Sequence, residues 1–138
     1  MAVKLFYLAK NMQKKHLYSL VRLLEWILRY VCGCEIHASM KTGTDLQLPH
    51  NGLGCVLSPR AVIGNRVKIL QNVTLGGREG SGCPVIEDDV LIGAGAVVLG
   101  DITVGTGAKI GANAVVLEDV PAHSIAVGVP AVIKEKQK

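Results

Sequence analysis

Aliphatic residues recur every six positions from Leu57 onward: Leu57, Ile63, Ile69, Leu75, then Ile86, Ile92, Val98, Val104, Ile110 and Val116, with one slip between Leu75 and Ile86. A small or β-branched residue stands four places after nearly every one, at Ala61, Val67, Val73, Val90, Ala96, Ile102, Ala108, Ala114 and Val120. Six residues make one short strand and one tight turn, so the rhythm predicts a parallel β-helix. Side chains alternate along a strand, which turns each aliphatic and the small residue two before it inward. Gly follows the aliphatic at Gly64, Gly76, Gly93, Gly105 and Gly111, where it is expected to supply the backbone freedom of a sharp bend. A helix is excluded, because a period of six does not hold one face at about 3.6 residues per turn.

Residues 3–31 follow another rhythm. Leu17, Leu20, Val21, Leu24, Ile27, Leu28 and Val31 fall at spacings of three and four, with Lys14, Lys15, Ser19, Arg22, Glu25 and Arg29 elsewhere. This predicts one amphipathic helix, or two with a break near Asn11–Met12, stopped at Gly33. The chain thus divides into an N-terminal helical segment, 1–33, and a mainly β domain, 34–138. Irregular first-coil hexads begin at Ile36, Thr42 and Leu48. Three extra residues separate Leu48 from Leu57, and five interrupt the register between Leu75 and Ile86. The second excess, the glycine-rich segment 76–84, is expected to be a mobile loop on the binding face.

Composition narrows the function. The formal charge of +4 is uneven: residues 1–31 hold Lys4, Lys10, Lys14, Lys15, Arg22 and Arg29 against Glu25 alone, which leaves the repeat body slightly acidic. That body is not built to bind nucleic acid. No apolar run approaches the roughly 20 residues of a membrane span, and no signal-peptide pattern is present. The expected location is cytoplasmic, with Cys32, Cys34, Cys55 and Cys83 reduced. The basic, amphipathic N-terminus has two readings: packing on the prism end or a partner subunit, or weak contact of residues 3–31 with an anionic membrane surface.

The runs Ile63-Gly-Asn-Arg-Val-Lys and Ile92-Gly-Ala-Gly-Ala-Val resemble the repeats of hexapeptide acyltransferases, whose left-handed parallel β-helix sets three hexads in one triangular coil. Longer segments, Ile69-Leu-Gln-Asn-Val-Thr-Leu-Gly-Gly77, Val90-Leu-Ile-Gly-Ala-Gly-Ala96 and Ala126-Val-Gly-Val-Pro-Ala131, resemble the serine acetyltransferase branch, including its polysaccharide-modifying relatives. The resemblance covers about residues 34–134. It implies an acetyl-CoA-dependent O-acetyltransferase that assembles as a homotrimer, with grooves between neighbours.

Acetyl transfer to a hydroxyl needs a base, and histidine suits neutral pH. His16 lies in the helical segment, His37 opens the first coil, and His123 follows Pro121. His50 stands where the register breaks. Counting coils stacks Leu48, Ile69, Ile92 and Ile110 on one face, so His50, Gln71, Ala94 and Ala112 form a column two residues further on. A pantetheine arm could lie along it. The resemblance also makes His50 the base, and it pairs that base with an acid fifteen residues earlier, here Glu35. A carboxylate there would orient the imidazole and stabilise the imidazolium. Backbone amides near Gly76 and Gly77 are expected to hold the oxyanion, and Lys109 and Lys134 the coenzyme phosphates.

Two positions depart from the branch. Pro49 replaces an Asp that helps hold serine, and Cys83 replaces a His before Pro84. Both changes remove polar groups from the acceptor pocket, so a sugar hydroxyl of surface polysaccharide or glycan biosynthesis is the expected acceptor. Serine O-acetyltransfer for cysteine biosynthesis is the alternative enzyme, and a non-catalytic scaffold the alternative class. No metal is expected: Cys32, Cys34 and His37 offer three ligands at most, and His37, His50 and His123 lack the spacing of γ-type carbonic anhydrases.

Overall fold

In the computed structural model, which describes residues 1–134, two helices precede a parallel solenoid with three faces. Face one stacks Glu35–Ile36, Val56–Leu57, Thr74–Gly76, Val97–Leu99 and Val115–Val116. Face two stacks Lys41–Thr42, Val62–Ile63, Val85–Ile86 and Thr103–Val104. Face three stacks Lys68–Ile69, Leu91–Ile92, Lys109–Ile110 and Ile125–Val127, and Val132–Lys134 closes its edge antiparallel.

The six-residue aliphatics are the core. Ile63 sits over Ile86, Leu75 over Val98, and Ile92 over Ile110, and all six side chains are buried. Each buried side chain of this size contributes roughly 1.5–3 kcal/mol over leaving it in water. The small residues between them, such as Ala96 and Ala114, are buried too and let the corners close.

The glycine after the aliphatic has a role other than the expected one. Gly93 is not left-handed; a Cβ there would lie 2.6 Å from the backbone nitrogen of Ala112 in the next coil. Close approach between coils excludes a side chain. The left-handed turn falls two positions later, on Arg66, Asn72, Asp89 and Asn113. Asn and Asp tolerate that region better than other side chains. Arg66 brings its own support, donating from Nε and one terminal nitrogen to the Asp89 carboxylate at 2.7 Å each.

Helix α1 spans Ala2–Lys14 and α2 spans Tyr18–Tyr30, so the break lies after Lys14 and not near Asn11–Met12. The chain reverses through His16, which is left-handed at φ 58°. Ala2 and Phe6 of α1 and Leu28 of α2 join the solenoid core and cap its first coil beside Met40. Tyr7 donates to the Gly43 carbonyl at 3.0 Å, and Lys10 Nζ donates to the Met40 carbonyl at 2.7 Å. Burial, helped by Lys14, lowers the Lys10 pKa. The apolar stripe expected on α2 splits. Val21, Leu24 and Leu28 are buried, while Leu17, Leu20 and Val31 are exposed.

Candidate active site

The first register break is a single turn of 3₁₀ helix, Pro49–Gly52, at the corner from face three to face one. His50 and Asn51 are both left-handed there, at φ 55° and 57°. Two consecutive non-glycine residues in that region are costly, and such strain gathers at functional sites. The turn pushes the His50 imidazole out of the wall into solvent. Pro49 fits the first position, where its missing N–H costs nothing.

The excess displaces His50 from the column expected to run through Gln71, Ala94 and Ala112. The Gly95 amide donates to the Gln71 carbonyl, and the Asn113 amide to the Ala94 carbonyl; the matching bond one coil earlier runs from Asn72 to Leu53. Leu53 therefore heads that column, and His50 projects from the loop just before it. Ala112 is exposed and Ala94 half-buried, which leaves an open strip along the corner. Gln71 Oε1 is buried without a hydrogen-bond partner among the described residues. Sequence reasoning placed Gln71 in the column but had no means of detecting this unsatisfied oxygen.

Glu35 begins face one beside the same corner, its amide donating to the Cys55 carbonyl at 2.8 Å. Its carboxylate meets Arg29 at 3.3 Å and His37 Nε2 at 3.7 Å; the other nitrogen of His37 lies 3.8 Å from Glu25 Oε1. Among the described residues its ion pairs go to these two groups and not to His50. Glu25 is anchored in turn by the Ala38 amide at 2.8 Å. Glu25, Trp26, Arg29, Tyr30, Glu35, Ile36 and His37 line a cavity of about 240 Å³. Glu25 and Arg29, which in the sequence only lie off the apolar stripe, thus organise the surroundings of Glu35.

The second break lies at the corner from face one to face two. Residues 77–84 leave the wall after Gly76 and turn back through Arg78–Ser81, where the Ser81 amide donates to the Arg78 carbonyl at 2.8 Å. Arg60 of the coil below reaches the loop base, with one terminal nitrogen 3.0 Å from where a Gly77 Cβ would stand. Neither Arg60 nor Arg78 has an ion-pair partner among the described residues. Cys83 is buried, its Sγ 3.3 Å from Ser58 Oγ. Pro49 and Cys83 therefore occupy different corners of one prism and do not share a pocket within one chain. Lys109 and Lys134 are exposed on face three, two strands apart, and Lys68 shares their outer row. Inside, burial pushes the Cys34 thiol up to about 12 and raises Cys55, so both remain neutral packing groups.

Residues 83–118 match the family described as Bacterial transferase hexapeptide (six repeats). A serine acetyltransferase of Bacillus pumilus is 46% identical over 126 residues, which cover 89% of this chain and 58% of that protein. One from Helicobacter pylori is 43% identical over 130 residues, covering 92% of this chain and 75% of that protein. The chain belongs to the serine acetyltransferase family. A solved soybean serine acetyltransferase complexed with serine superposes with a TM-score of 0.87 at 40% identity, over 96% of this chain and 56% of that one. The solenoid is thus the left-handed β-helix of this family. The chain spans about 58% of the length of the Bacillus relatives it matches.

These likenesses overturn the sugar acceptor expected from Pro49 and Cys83. The related proteins act on serine by name, and their similarity runs through both departures. The loss of polar side chains at Pro49 and Cys83 was too narrow a basis, because Arg60, Arg78 and Gln71 leave polar groups at the same two corners.

Proposed function

We propose that this chain transfers an acetyl group from acetyl-CoA to the hydroxyl of L-serine, in the cytoplasm. The carrying observation is the family likeness over nearly all of the solenoid, including the corner that presents His50. The serine oxygen attacks the thioester carbon as His50 takes the hydroxyl proton. Backbone amides near Gly76 and Gly77 stabilise the oxyanion. When the tetrahedral adduct collapses, the C–S bond breaks and the proton passes from His50 to the thiolate, giving O-acetylserine and free coenzyme A. Glu35, at the same corner, supplies negative charge to the transient imidazolium. The strip past Ala94 and Ala112 accepts the pantetheine arm, and the lysines of face three meet the phosphates.

His50 and the 77–84 loop stand on different corners, so one chain does not bring them together. A closed three-fold assembly would set the loop corner of one copy against the His50 corner of its neighbour and complete the site three times. Arg60 and Arg78 would then face the serine carboxylate, and Gln71 Oε1 would offer an acceptor to the ammonium. The test is release of thiol from acetyl-CoA on addition of L-serine, with O-acetylserine confirmed by mass. A folded protein that binds acetyl-CoA but shows no serine-dependent thiol release would refute the proposal.

A further inference from the structure

We infer that the outer face of α2 docks on an anionic lipid surface. Leu20, Leu23, Trp26 and Tyr30 succeed one another at spacings of three and four, so they line one side of the helix. They are 44%, 51%, 54% and 66% exposed, opposite the side that buries Val21, Leu24 and Leu28. The helix is therefore apolar on two sides, and the solenoid needs only one. Trp and Tyr on such a face have the apolar body and polar tip that favour a lipid headgroup boundary.

Charge selects the occupant. Residues 1–31 hold six Lys and Arg against Glu25 alone. Glu25 is turned to the Ala38 amide and so does not offset the basic border of the exposed face. Lys14 and Lys15 lie at its N-terminal end and Arg22 along its flank, all exposed. A second copy docked face to face would bring these cations together, and the repeat body, at about one net negative charge, offers little to neutralise them. An anionic bilayer satisfies both the apolar strip and its basic border. No helix among the described residues is long and apolar enough to cross a membrane, so the contact lies in the interface plane.

Trp26 is the sole tryptophan and sits within the strip, so the unmodified full chain carries its own reporter. Trp26 emission should shift to the blue, and the protein should co-sediment, with vesicles of phosphatidylcholine mixed with phosphatidylglycerol. Phosphatidylcholine alone should do neither, and added salt should reverse the binding. Leu20→Ser with Leu23→Ser should abolish the shift. Lys14→Gln, Lys15→Gln and Arg22→Gln should each weaken partitioning about fivefold. If the apolar variant fails to fold, the charge variants and the salt dependence of the wild type decide the matter. Folded wild type that ignores anionic vesicles would overturn the inference. So would a lipid-free oligomer with Trp26 already shielded, whose mass falls in the Leu20→Ser, Leu23→Ser variant, because a second copy would then own the face.

Discussion

Between Ile86 and Val116 the chain repeats without interruption, and among its side chains this stretch offers mainly a core and a strip of alanines. Between Leu48 and Ile86 the same repeat breaks twice, and each break presents polar groups that the regular coils lack. The first pushes His50 out through two left-handed residues, and the second lifts Arg78 on a loop over Arg60. Both regions share one hydrophobic ladder, so the solenoid tolerates the excesses at its corners while its interior register continues. Regular hexads build the prism, and the interruptions equip it.

The sharpest break in that comparison is His50→Ala. Turnover with L-serine should fall by roughly 10²–10⁴-fold, the usual worth of a positioned general base. The thermal midpoint should not fall, since the imidazole is exposed. Turnover close to wild type would remove His50 from the chemistry. Ile92→Ala tests the other region. It should cost about 2–5 kcal/mol in urea unfolding, with kcat per folded molecule unchanged. Gly93→Ala should cost about 1–3 kcal/mol through overpacking against the Ala112 backbone, although alanine is otherwise the better-ordered residue. A stabilised Gly93→Ala protein would refute the close-approach account of these glycines.

Smaller effects sharpen the picture. Gln71→Leu should lower kcat/KM for serine about two- to tenfold, the worth of one hydrogen bond, without loss of stability. An unchanged kcat/KM with a raised melting temperature would leave Oε1 as a mere packing defect. At the bottom of the scale, Cys34 should resist alkylation in the folded protein near neutral pH. Burial raises its pKa to about 12, so the reactive thiolate is scarce. Labelling should appear on unfolding, and prompt labelling of the native protein would contradict the burial.

The prism was legible in the sequence because a period of six leaves every inward aliphatic in view, and both interruptions showed as counted excesses. How each excess is absorbed was not legible. Three extra residues at Pro49–Asn51 bulge out before the column, so Leu53 takes the place that counting gave to His50. The role of Gly93 was misread because φ cannot be seen in a residue name, whereas the backbone of the next coil forbids its Cβ. Glu25 and Arg29 showed only as positions off the apolar stripe, since it takes the packing of α2 beside face one to bring them to His37 and Glu35. The acceptor failed for a similar reason. Only the fold shows that Arg60, Arg78 and Gln71 leave polar groups at the corners of Pro49 and Cys83.

The separation of His50 from the 77–84 loop makes complementation the most direct test. His50→Ala and a second variant with residues 78–82 deleted should each be inactive alone, provided both fold and assemble. Coexpressed, they should form mixed trimers in which some sites join an intact His50 corner to an intact loop corner from the neighbouring copy. With equal amounts and random mixing, about a quarter of the sites should be whole, and serine-dependent thiol release should return to about that share of wild type. No recovery in mixed trimers of confirmed composition would place the whole site within one chain and contradict the account.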